Sequence, residues 1–380
     1  MDRDFGLDDS QRELVRVVRD FARTKAGPAS AGHEEAKTFP RELFRELGGM
    51  GLAGIPWDES YGGGGQSFLS YLVVLEEVAT TYLALALALS VHHLASFGVY
   101  AFGSEDLKGR YLPKLCSGEW LGAYALSEAS SGSDAAALKT RAEKADGGYA
   151  LTGSKRFITH GGEAEFYLVL ARTGGEGAAG ISAFAVEKGW PGFDFGKAEE
   201  KMGWNSSPMR ELLFEGCPVP GENLIGAEGE GFKVALAALD GGRLGIAASS
   251  TGLAQGAFDA AVAYARERTQ FGKPIVEFEG LQFMLADMAV GIEASRRLYR
   301  EAARVRDAGE DSSVGASMAK LLASDTAMRV TTDAVQVFGG YGYMTEYPVE
   351  RYMREAKALQ IVEGTNQIQR FIIGRRLSSG

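Results

Sequence analysis

The stretch from Ala123 to Asp134 reads AYALSEASSGSD and marks the point where the pattern of the chain changes. Its first residues are typical of a strand, and its second half is rich in hydroxyl side chains and glycine, so it predicts a strand that ends in a polar loop. Such a loop offers hydroxyl and backbone N–H donors to a phosphate or to the edge of a heteroaromatic ring. Taken alone, the pattern is more typical of an ordinary β-turn than of a cofactor loop.

The residues before this stretch carry apolar side chains at helical spacing. In DDSQRELVRVVRDFA, Ser10 is placed to cap a first helix and Glu13 to complete a capping box. Three further helical patterns follow, at residues 41–52, 69–91 and 95–115. The sequence therefore predicts an all-helical N-terminal domain over residues 1–119.

The residues after this stretch alternate short apolar runs with Gly, Pro and Asp turns, as antiparallel sheets do. These runs lie at residues 149–151, 166–171, 181–186 and 211–214. Long helical patterns then return, at residues 281–306 and 314–338. The sequence thus predicts an α+β fold, with a middle antiparallel β domain over residues 120–225 and a C-terminal α-helical bundle domain over residues 226–380.

The composition narrows the range of functions. The chain has 380 residues, of which 45% are hydrophobic and 24% charged, as expected of a globular protein with two or three domains. Its formal net charge of -10 and the lack of a Lys/Arg-rich run argue against a nucleic-acid partner. The two cysteines and four histidines show no metal-ligand spacing, so no metal site is expected.

Two features bear on the location of the protein. The longest apolar run, near residues 81–91, is shorter than the roughly 18 residues of a membrane span, so we expect a buried helix segment and no membrane span. The N-terminal segment MDRDFGLDDSQREL has neither the apolar core of a signal peptide nor the Arg-rich character of a transit peptide. A cytoplasmic location is therefore expected.

One acid near the C-terminus is distinguished by its neighbours. In ALQIVEGTNQIQR, residues 358–370, Glu363 follows two apolar residues and precedes Gly364. In apolar surroundings the ionised carboxylate is disfavoured, so the pKa of the group rises toward the range of a general base at neutral pH. Gly364 would let a substrate or cofactor approach the backbone. The alternative interpretation is a helix start, with Thr365 as the cap and Glu363 exposed.

Two further stretches are ambiguous by themselves. SKRFITHGG, residues 154–162, places an aromatic side chain close to a threonine, a pattern that is most often a β-turn. ARERTQFGKPI, residues 265–275, is typical of a helix that closes with Arg266 and Arg268 and is stopped by Gly and Pro.

The order of these pieces resembles that of one family. YALSE…GSD, FIT, ALDGGR, RTQFGKP, QVFGGYGY and IVEGTNQIQR follow one another in the order and with the separations of the acyl-CoA dehydrogenase family of flavoenzymes, in particular its short- and medium-chain branch. The resemblance covers essentially the whole chain. Each motif is only moderately specific, but six in one order are highly specific together.

The resemblance implies a reaction. Glu363 matches the catalytic base that removes the proton α to the thioester carbonyl of an acyl-CoA, while the β hydrogen leaves as hydride to N5 of FAD and the trans-2-enoyl-CoA forms. The backbone N–H of Glu363, with a ribityl hydroxyl of FAD, would hold the thioester oxygen. Four positions match substrate contacts: Ser133, Asp240, Arg243 and Gly364.

The resemblance also implies which residues hold FAD. Eight positions match contacts with the cofactor, from its ring to its diphosphate and adenosine side: Tyr124, Leu126, Ser127, Ser133, Phe157, Thr159, Thr365 and Gln367. Six match residues by which one subunit grips the FAD of its neighbour: Arg268, Gln270, Phe271, Gln336, Gly339 and Gly340. A homotetramer built as a dimer of dimers would then complete each site, and an electron-transferring flavoprotein would accept the electrons.

The chain departs from the family pattern at several positions. Phe157 stands where many relatives have Trp, and Gly242 stands where a minority branch carries its base, so Glu363 is the remaining candidate. His92 and His93 lie in the region that lines the distal end of the acyl pocket in relatives. One of them could meet a polar or carboxylated acyl tail. We favour the alternative, a helix-end histidine bonded to backbone.

Several functions share this set of residues. The same site would act on an acyl group tethered to a carrier protein or, in reverse, as an enoyl-CoA reductase. A flavin oxidase or monooxygenase on this scaffold would often lack the acid at position 363, and a non-catalytic member that contacts DNA would carry a basic segment. Acyl length, branching and a terminal carboxylate stay open. We expect an FAD-dependent acyl-CoA dehydrogenase of fatty acid β-oxidation.

Overall fold

The computed structural model describes residues 3–378, and the first part of this chain is helical. Six α-helices precede the sheet: α1 (Asp9–Phe21), α2 (Gly27–Ala36), α3 (Arg41–Gly49), α4 (Phe68–Ala79), α5 (Leu83–Phe102) and α6 (Glu105–Cys116). A π-helical turn, Ala22–Ala26, joins α1 to α2. The predicted helical start of the chain is confirmed.

Helix α1 begins at a different cap from the predicted one. The Asp8 side chain accepts a hydrogen bond from the N–H of Gln11 at 2.8 Å, and the Gln11 side chain accepts one from the N–H of Asp8 at 3.2 Å. This is a complete capping box, two residues before the predicted pair. Ser10 and Glu13 lie inside the helix, so the predicted cap is wrong.

Two of the predicted helices are each divided by a break. The pattern over residues 69–91 forms α4 and α5, and at their junction Thr81 Oγ1 donates a hydrogen bond to the Ala22 carbonyl at 2.9 Å. The pattern over residues 95–115 is divided between α5 and α6, where the Ser104 side chain caps α6. Hydroxyl groups that bind backbone in this way favour helix ends over continuous helix.

Helix α5 is longer than its apolar run predicts. Among residues 3–378 it is the one helix that is long and apolar enough, by length and composition alone, to cross a membrane. Of that apolar window, 83% is buried inside the protein. The expectation that this segment is too short for a span is wrong, whereas its expected burial is confirmed.

Eight strands form the central sheet: β1 (Gly122–Ala125), β2 (Arg141–Ala145), β3 (Gly148–Thr159), β4 (Phe166–Arg172), β5 (Ile181–Glu187), β6 (Phe193–Ala198), β7 (Met209–Pro220) and β8 (Leu224–Ile225). Their order is β6-β7-β3-β2-β4-β5-β8, with β1 beside β4. The pairings of β1 and β2 with β4 are parallel, and the other pairings are antiparallel. The expected antiparallel sheet is thus confirmed for most of its pairings, and the two parallel ones are additions.

The last part of the chain is again helical. Its helices are α7 (Gly231–Glu267), α8 (Glu279–Asp307), α9 (Ser313–Phe338), α10 (Val349–Leu359) and α11 (Asn366–Ser378). The helices predicted at 281–306 and 314–338 are confirmed within two residues at each end, as α8 and α9. Between α7 and α8 a short hairpin, β9 (Thr269–Gln270) and β10 (Lys273–Pro274), follows the predicted helix end.

Helix α7 holds the helical parts together, because it packs against α4, α5, α8 and α9. At Gly252 it approaches α4 so closely that a Cβ atom would lie 2.1 Å from the Glu76 carbonyl oxygen. The Glu76 carboxylate in turn accepts a hydrogen bond from Arg296 Nε of α8 at 2.7 Å. The close approach fixes α7 against α4, and the ion pair ties α4 to α8, so the part of α7 that faces the candidate site has a defined position.

Replacing Gly252 with Ala tests this close approach. The added methyl group would overlap the Glu76 carbonyl, so we expect the free energy of unfolding to fall by about 1–3 kcal/mol, the usual effect of overpacking. Gly32 of α2 is the matched control, because a Cβ atom there meets nothing within 4 Å. Gly32→Ala should be as stable as the parent or up to about 1 kcal/mol more stable. Equal melting temperatures for the two variants would contradict the assignment.

Candidate active site

Glu363 lies in a strained turn between α10 and α11. Glu363 and Gly364 both have positive φ angles, of 52° and 90°. For a residue other than glycine this backbone conformation costs about 1–3 kcal/mol, and it is concentrated at functional sites. Thr365 Oγ1 accepts a hydrogen bond from the N–H of Ile368 at 3.3 Å. Thr365 therefore caps α11, as the helix-start interpretation of the sequence expects.

The carboxyl group of Glu363 points into the protein. Its Oε2 atom is buried and has no hydrogen-bond partner among the described residues. Burial raises the pKa of Glu363 to about 8, against the opposing effect of the Lys320 and Arg243 cations. The interpretation in which Glu363 is exposed is therefore wrong. With this pKa the group is mainly protonated at pH 7 and forms the carboxylate as the pH rises through about 8.

Helix α7 leaves room for this carboxyl group at Gly242. A Cβ atom there would lie 1.9 Å from Glu363 Oε2 and 2.7 Å from Leu94 Cδ1 of α5. The carboxyl oxygen therefore lies against bare helix backbone beside an apolar side chain. One residue further along α7, Arg243 NH1 donates to Asp240 Oδ1 at 2.6 Å. The two residues expected near the thioester are thus paired within one helical turn of the Glu363 contact.

Two phenol groups lie near the same carboxyl group, those of the buried Tyr71 and the half-buried Tyr124. Burial raises the pKa values of Tyr71 on α4 and Tyr124 on β1, and the charge of Glu363 raises both further. The Tyr71 ring stacks on His93 with centroids 4.4 Å apart, and His93 stacks on Trp57 at 4.5 Å. The stacked rings of Tyr71, His93 and Trp57 are thus neutral and closely packed near Glu363.

The two neighbouring histidines differ in their roles. The N–H of Gly122 donates to His92 Nδ1 at 3.0 Å, so Nε2 carries the proton that it donates to the Leu115 carbonyl at 3.0 Å. The backbone-bonded interpretation is confirmed for His92, although the residue lies within α5 and not at its end. His93 is part of the aromatic stack, and its buried Nε2 has no partner in the described chain.

The polar loop after β1 is fixed against β3. Lys155 Nζ donates to the Leu126 carbonyl at 3.1 Å and to Glu128 Oε1 at 2.8 Å, and the Ser127 carbonyl accepts a bond from the β3 backbone at 2.8 Å. The neighbouring Phe157 lies where the pairing of β3 with β7 is bulged, has a φ of 60° and is 56% exposed. The structure thus brings Leu126, Ser127 and Phe157 together around an exposed aromatic face.

These residues fit a flavin ring. Phe157 offers a stacking surface in a strained and therefore well-defined backbone conformation, and the adjacent loop offers the Ser127 hydroxyl. Thr159 lies at the end of the same strand. Tyr124 precedes the loop on β1 and also faces Glu363, so the aromatic face and the buried carboxyl group belong to one region.

The other expected cofactor residues are spread over several parts of the chain. A groove of about 570 Å³, where the β9–β10 hairpin meets the end of α9, is lined in part by Arg268, Gln270, Gly339 and Gly340. Phe271 is 93% exposed and Gln336 is exposed on α9, and neither lines this groove. Ser133 and Gln367 are also exposed, while the Thr365 hydroxyl is engaged in the cap of α11.

Sequence reasoning missed three residues beside Glu363. Lys320 donates from Nζ to the Gly364 carbonyl at 3.0 Å, yet in SMAKLLAS it is a single lysine in an otherwise apolar and small-residue pattern. That isolation was the available signal. Tyr71 and Leu94 have no distinguishing signal, because their spacing is that of ordinary core residues.

Family models match the three parts of the chain in order. The N-terminal domain of acyl-CoA dehydrogenase matches residues 8–119, the middle domain matches residues 123–217 and the C-terminal domain matches residues 229–378. The fold and these three domain matches define a flavin-dependent oxidoreductase. The chain belongs to the acyl-CoA dehydrogenase family.

Individual relatives match over the full length. An acyl-CoA dehydrogenase of Bacillus subtilis is 48% identical over 369 residues, which are 97% of each chain. The structure of butyryl-CoA dehydrogenase from Megasphaera elsdenii is 45% identical, with a TM-score of 0.96 over 99% of this chain and 100% of that one. A chain in a structure described as the electron transferring flavoprotein of Acidaminococcus fermentans is 48% identical, with a TM-score of 0.97 over 98% and 99% of the chains.

A relative with a reductive name is also similar. Acryloyl-CoA reductase (NADH) of Anaerotignum propionicum is 43% identical over 377 residues, which are 98% of this chain and 96% of that one. The family and its members establish that the protein is an FAD-dependent enzyme of fatty acid metabolism that dehydrogenates acyl-CoA thioesters. The expected family, reaction class and cofactor are confirmed.

Replacing Gly242 with Ala tests the position of the carboxyl group. A methyl group 1.9 Å from Oε2 would displace the Glu363 side chain, so we expect kcat with butyryl-CoA to fall by about 10²-fold or more at unchanged FAD content. Gly241→Ala is the matched control, because the nearest atoms to a Cβ at Gly241 lie at 3.4 Å, an ordinary contact distance. A Gly242→Ala enzyme as active as Gly241→Ala would place the carboxyl group elsewhere.

Proposed function

We propose that Glu363 is the base that takes the proton α to the thioester carbonyl of an acyl-CoA. The observation that carries this proposal is the buried, unpartnered Oε2 atom, whose group has a pKa raised by burial to about 8. FAD, when bound, supplies the acceptor for the β hydrogen and its electron pair. The α carbon gives its proton to Glu363, the carbon–carbon double bond forms, and the product is the trans-2-enoyl-CoA.

The residues around Glu363 support this role in different ways. Gly242 leaves the space that the carboxyl group occupies, and the Lys320 and Arg243 cations limit how far burial raises its pKa. Tyr71 and Tyr124 are neutral, so they add no charge that would compete for the proton. Because the base acts in its deprotonated form, proton removal becomes faster as the pH rises through the pKa of Glu363.

We propose that the flavin ring is held by the middle part of the chain. The residues in question are Tyr124, Leu126, Ser127, Phe157 and Thr159, with Ser133, Thr365 and Gln367 serving the rest of the cofactor. The contacts of Leu126 and Ser127 with β3, beside an exposed Phe157, support the first group.

Four residues are proposed to bind the CoA ester: Asp240, Arg243, Ser133 and Gly364. The division of the chain at residues 119 and 225 is likewise a prediction.

We propose short acyl chains as the substrates. Tyr71, whose pKa is raised in part by the charge of Glu363, belongs to a buried stack with His93 and Trp57, and Leu94 adds an apolar contact beside Gly242. A butyryl-CoA dehydrogenase among the similar structures is consistent with this size. The second candidate is the reverse reaction on a short enoyl-CoA, which the acryloyl-CoA reductase relative favours.

Anaerobic titration with acyl-CoA esters tests this function. We expect butyryl-CoA to bleach the flavin, whereas octanoyl-CoA and a dicarboxylic ester such as glutaryl-CoA react poorly. Glu363→Gln keeps the shape of the side chain without its basicity, so it should retain yellow FAD and lose flavin reduction by several orders of magnitude. Near wild-type reduction by this variant would remove Glu363 from its role. If no acyl-CoA bleaches the flavin, but an enoyl-CoA together with an external reductant is turned over, the result would favour the reductase.

We propose that the functional unit is a homotetramer, built as a dimer of dimers, in which the groove near Arg268 meets the FAD of a neighbouring subunit. A phenylalanine that is 93% exposed, Phe271, is unusual on a free surface and is expected at an interface. Its φ of 51° indicates a defined position.

An electron-transferring flavoprotein is the proposed electron acceptor, supported by the similarity to a chain in a structure of that description. A cytoplasmic location is also part of this proposal.

Replacing Phe271 with Ser tests the shared site. We expect the wild-type mass in solution to correspond to four chains, and Phe271→Ser to lower both the assembly size and the FAD content. Val17→Ala, which also truncates an exposed apolar residue, is the matched control on α1 and should alter neither quantity. Light scattering coupled to size-exclusion chromatography, with the flavin absorbance of each peak, makes the measurement. A Phe271→Ser monomer that retains stoichiometric FAD would contradict the sharing of the site.

A further inference from the structure

Helix α9 buries a lysine directly behind the Glu363 turn. Lys320 is fully buried, at 0% exposure. Its Nζ donates to the Gly364 carbonyl at 3.0 Å and to Asn366 Oδ1 at 2.8 Å, and both of these partners are uncharged. Removing an ammonium group from water costs several kcal/mol unless its partners compensate. A buried lysine bonded to neutral oxygens therefore calls for a reason other than stability.

The bonds of Lys320 are directed at the C-terminal side of the strained turn. The Gly364 carbonyl, which follows Glu363, accepts bonds from Lys320 and from Gln369 Nε2 at 2.9 Å. Asn366 begins α11, and its Oδ1 accepts from Lys320. Because Glu363 and Gly364 both adopt positive φ, the turn needs fixed partners to persist. Lys320 supplies two of them, at Gly364 and at Asn366.

Other side chains of the same helix complete this support. Asn366 Nδ2 donates to Ser324 Oγ at 3.0 Å and to Asp325 Oδ1 at 2.7 Å. Gln360, at the start of the turn, donates to the same Asp325 oxygen at 2.7 Å. The turn from Gln360 to Asn366 is therefore tied to one face of α9. Lys320 is the one member of this set that is both charged and adjacent to Glu363.

The charge of Lys320 also acts on the carboxyl group. The groups that face Glu363 are Lys320 of α9, Arg243 of α7, and the neutral phenols Tyr71 of α4 and Tyr124 of β1. Arg243 donates to Asp240, whose negative charge offsets part of its effect. Lys320 is the larger of the two cationic influences on the pKa of Glu363.

The charge of Glu363 also acts on the pKa of Lys320. Burial lowers the pKa of Lys320 to about 8, while the charges of Glu363 and Asp325 oppose that shift and Arg243 adds to it. The ammonium and the carboxylate therefore favour each other's charged form. Losing the cation would make the carboxylate harder to form.

We propose that Lys320 is a positioning residue for Glu363, which holds the left-handed turn through the Gly364 carbonyl and keeps a positive charge beside the carboxyl group. The inference rests on the proposed role of Glu363 as the base. It assigns to Lys320 no contact with substrate or FAD.

Three variants separate this role from mere packing. Lys320→Met removes the charge and both hydrogen bonds, and Lys320→Gln removes the charge but keeps an N–H donor. Thr331→Val removes a buried hydrogen bond of the same helix, from Thr331 Oγ1 to the Ala327 carbonyl at 2.8 Å, at a distance from the turn. The measurement is the second-order rate constant of anaerobic flavin reduction by butyryl-CoA as a function of pH, with melting temperature and FAD content for each protein.

We expect both Lys320 variants to move the acid limb of this profile to higher pH by about one unit, since an adjacent cation lowers a carboxyl pKa by at least that much. The limiting rate should fall at least tenfold in Lys320→Met and less in Lys320→Gln, which can still hold the carbonyl. Thr331→Val should leave the profile unchanged whatever its melting temperature.

Two results would overturn the inference: an acid limb at the wild-type pH in the Lys320 variants, or a loss of melting temperature without any change in the pH profile. If Lys320→Met does not yield folded protein, the profile of Lys320→Gln decides between these outcomes. The Glu363→Gln enzyme keeps the two proposals apart. If that enzyme is inactive while the Lys320 variants behave as wild type, the base is retained and only the role of Lys320 fails.

Discussion

The burial of one carboxyl oxygen against bare helix backbone is the constraint on which the rest of the site depends. Glu363 reaches this position only because α7 has no side chain at Gly242 and because the turn before α11 adopts a left-handed conformation. The close approach of α7 to α4 at Gly252 sets where that backbone lies. The site is thus assembled by the packing of helices that are far apart in sequence, and no single segment contains it.

The electrostatics of the site balance opposing effects. Burial disfavours the charged form of Glu363, and the Lys320 and Arg243 cations favour it. Burial alone would raise the pKa of Glu363 further, so that the group would stay protonated. The cations alone would lower the pKa and leave a weakly basic carboxylate. Their combination gives a carboxyl group with a pKa of about 8, which suits the proposed role of a base. Glu363 and Phe157 both have positive φ angles, so each side chain is held in a defined position.

Much of this architecture could be predicted from the sequence, for identifiable reasons. The long helices α8 and α9 have regular apolar spacing and clear ends, so their bounds were predicted to within two residues. The junction near Thr81 was missed because a threonine hydroxyl bound to a distant carbonyl leaves no trace in local periodicity. The parallel pairings of β4 were missed because alternation describes a strand and not its neighbours. The candidate base was identified from its apolar neighbours and family motif, whereas Lys320 could be found only once the turn was folded against α9.

The central claim is that Glu363 is a base whose pKa is raised by burial. The measurement that tests it most directly is the second-order rate constant of anaerobic flavin reduction by butyryl-CoA in the wild-type enzyme between pH 5 and pH 10, because this constant reports ionisations of the free enzyme. With a pKa of about 8 for Glu363, the rate should rise with pH and reach half its limiting value near that pH. If the pKa of Glu363 stayed near the ordinary carboxyl value of about 4.3, the rate would hardly change with pH over this range, and that result would contradict the claim.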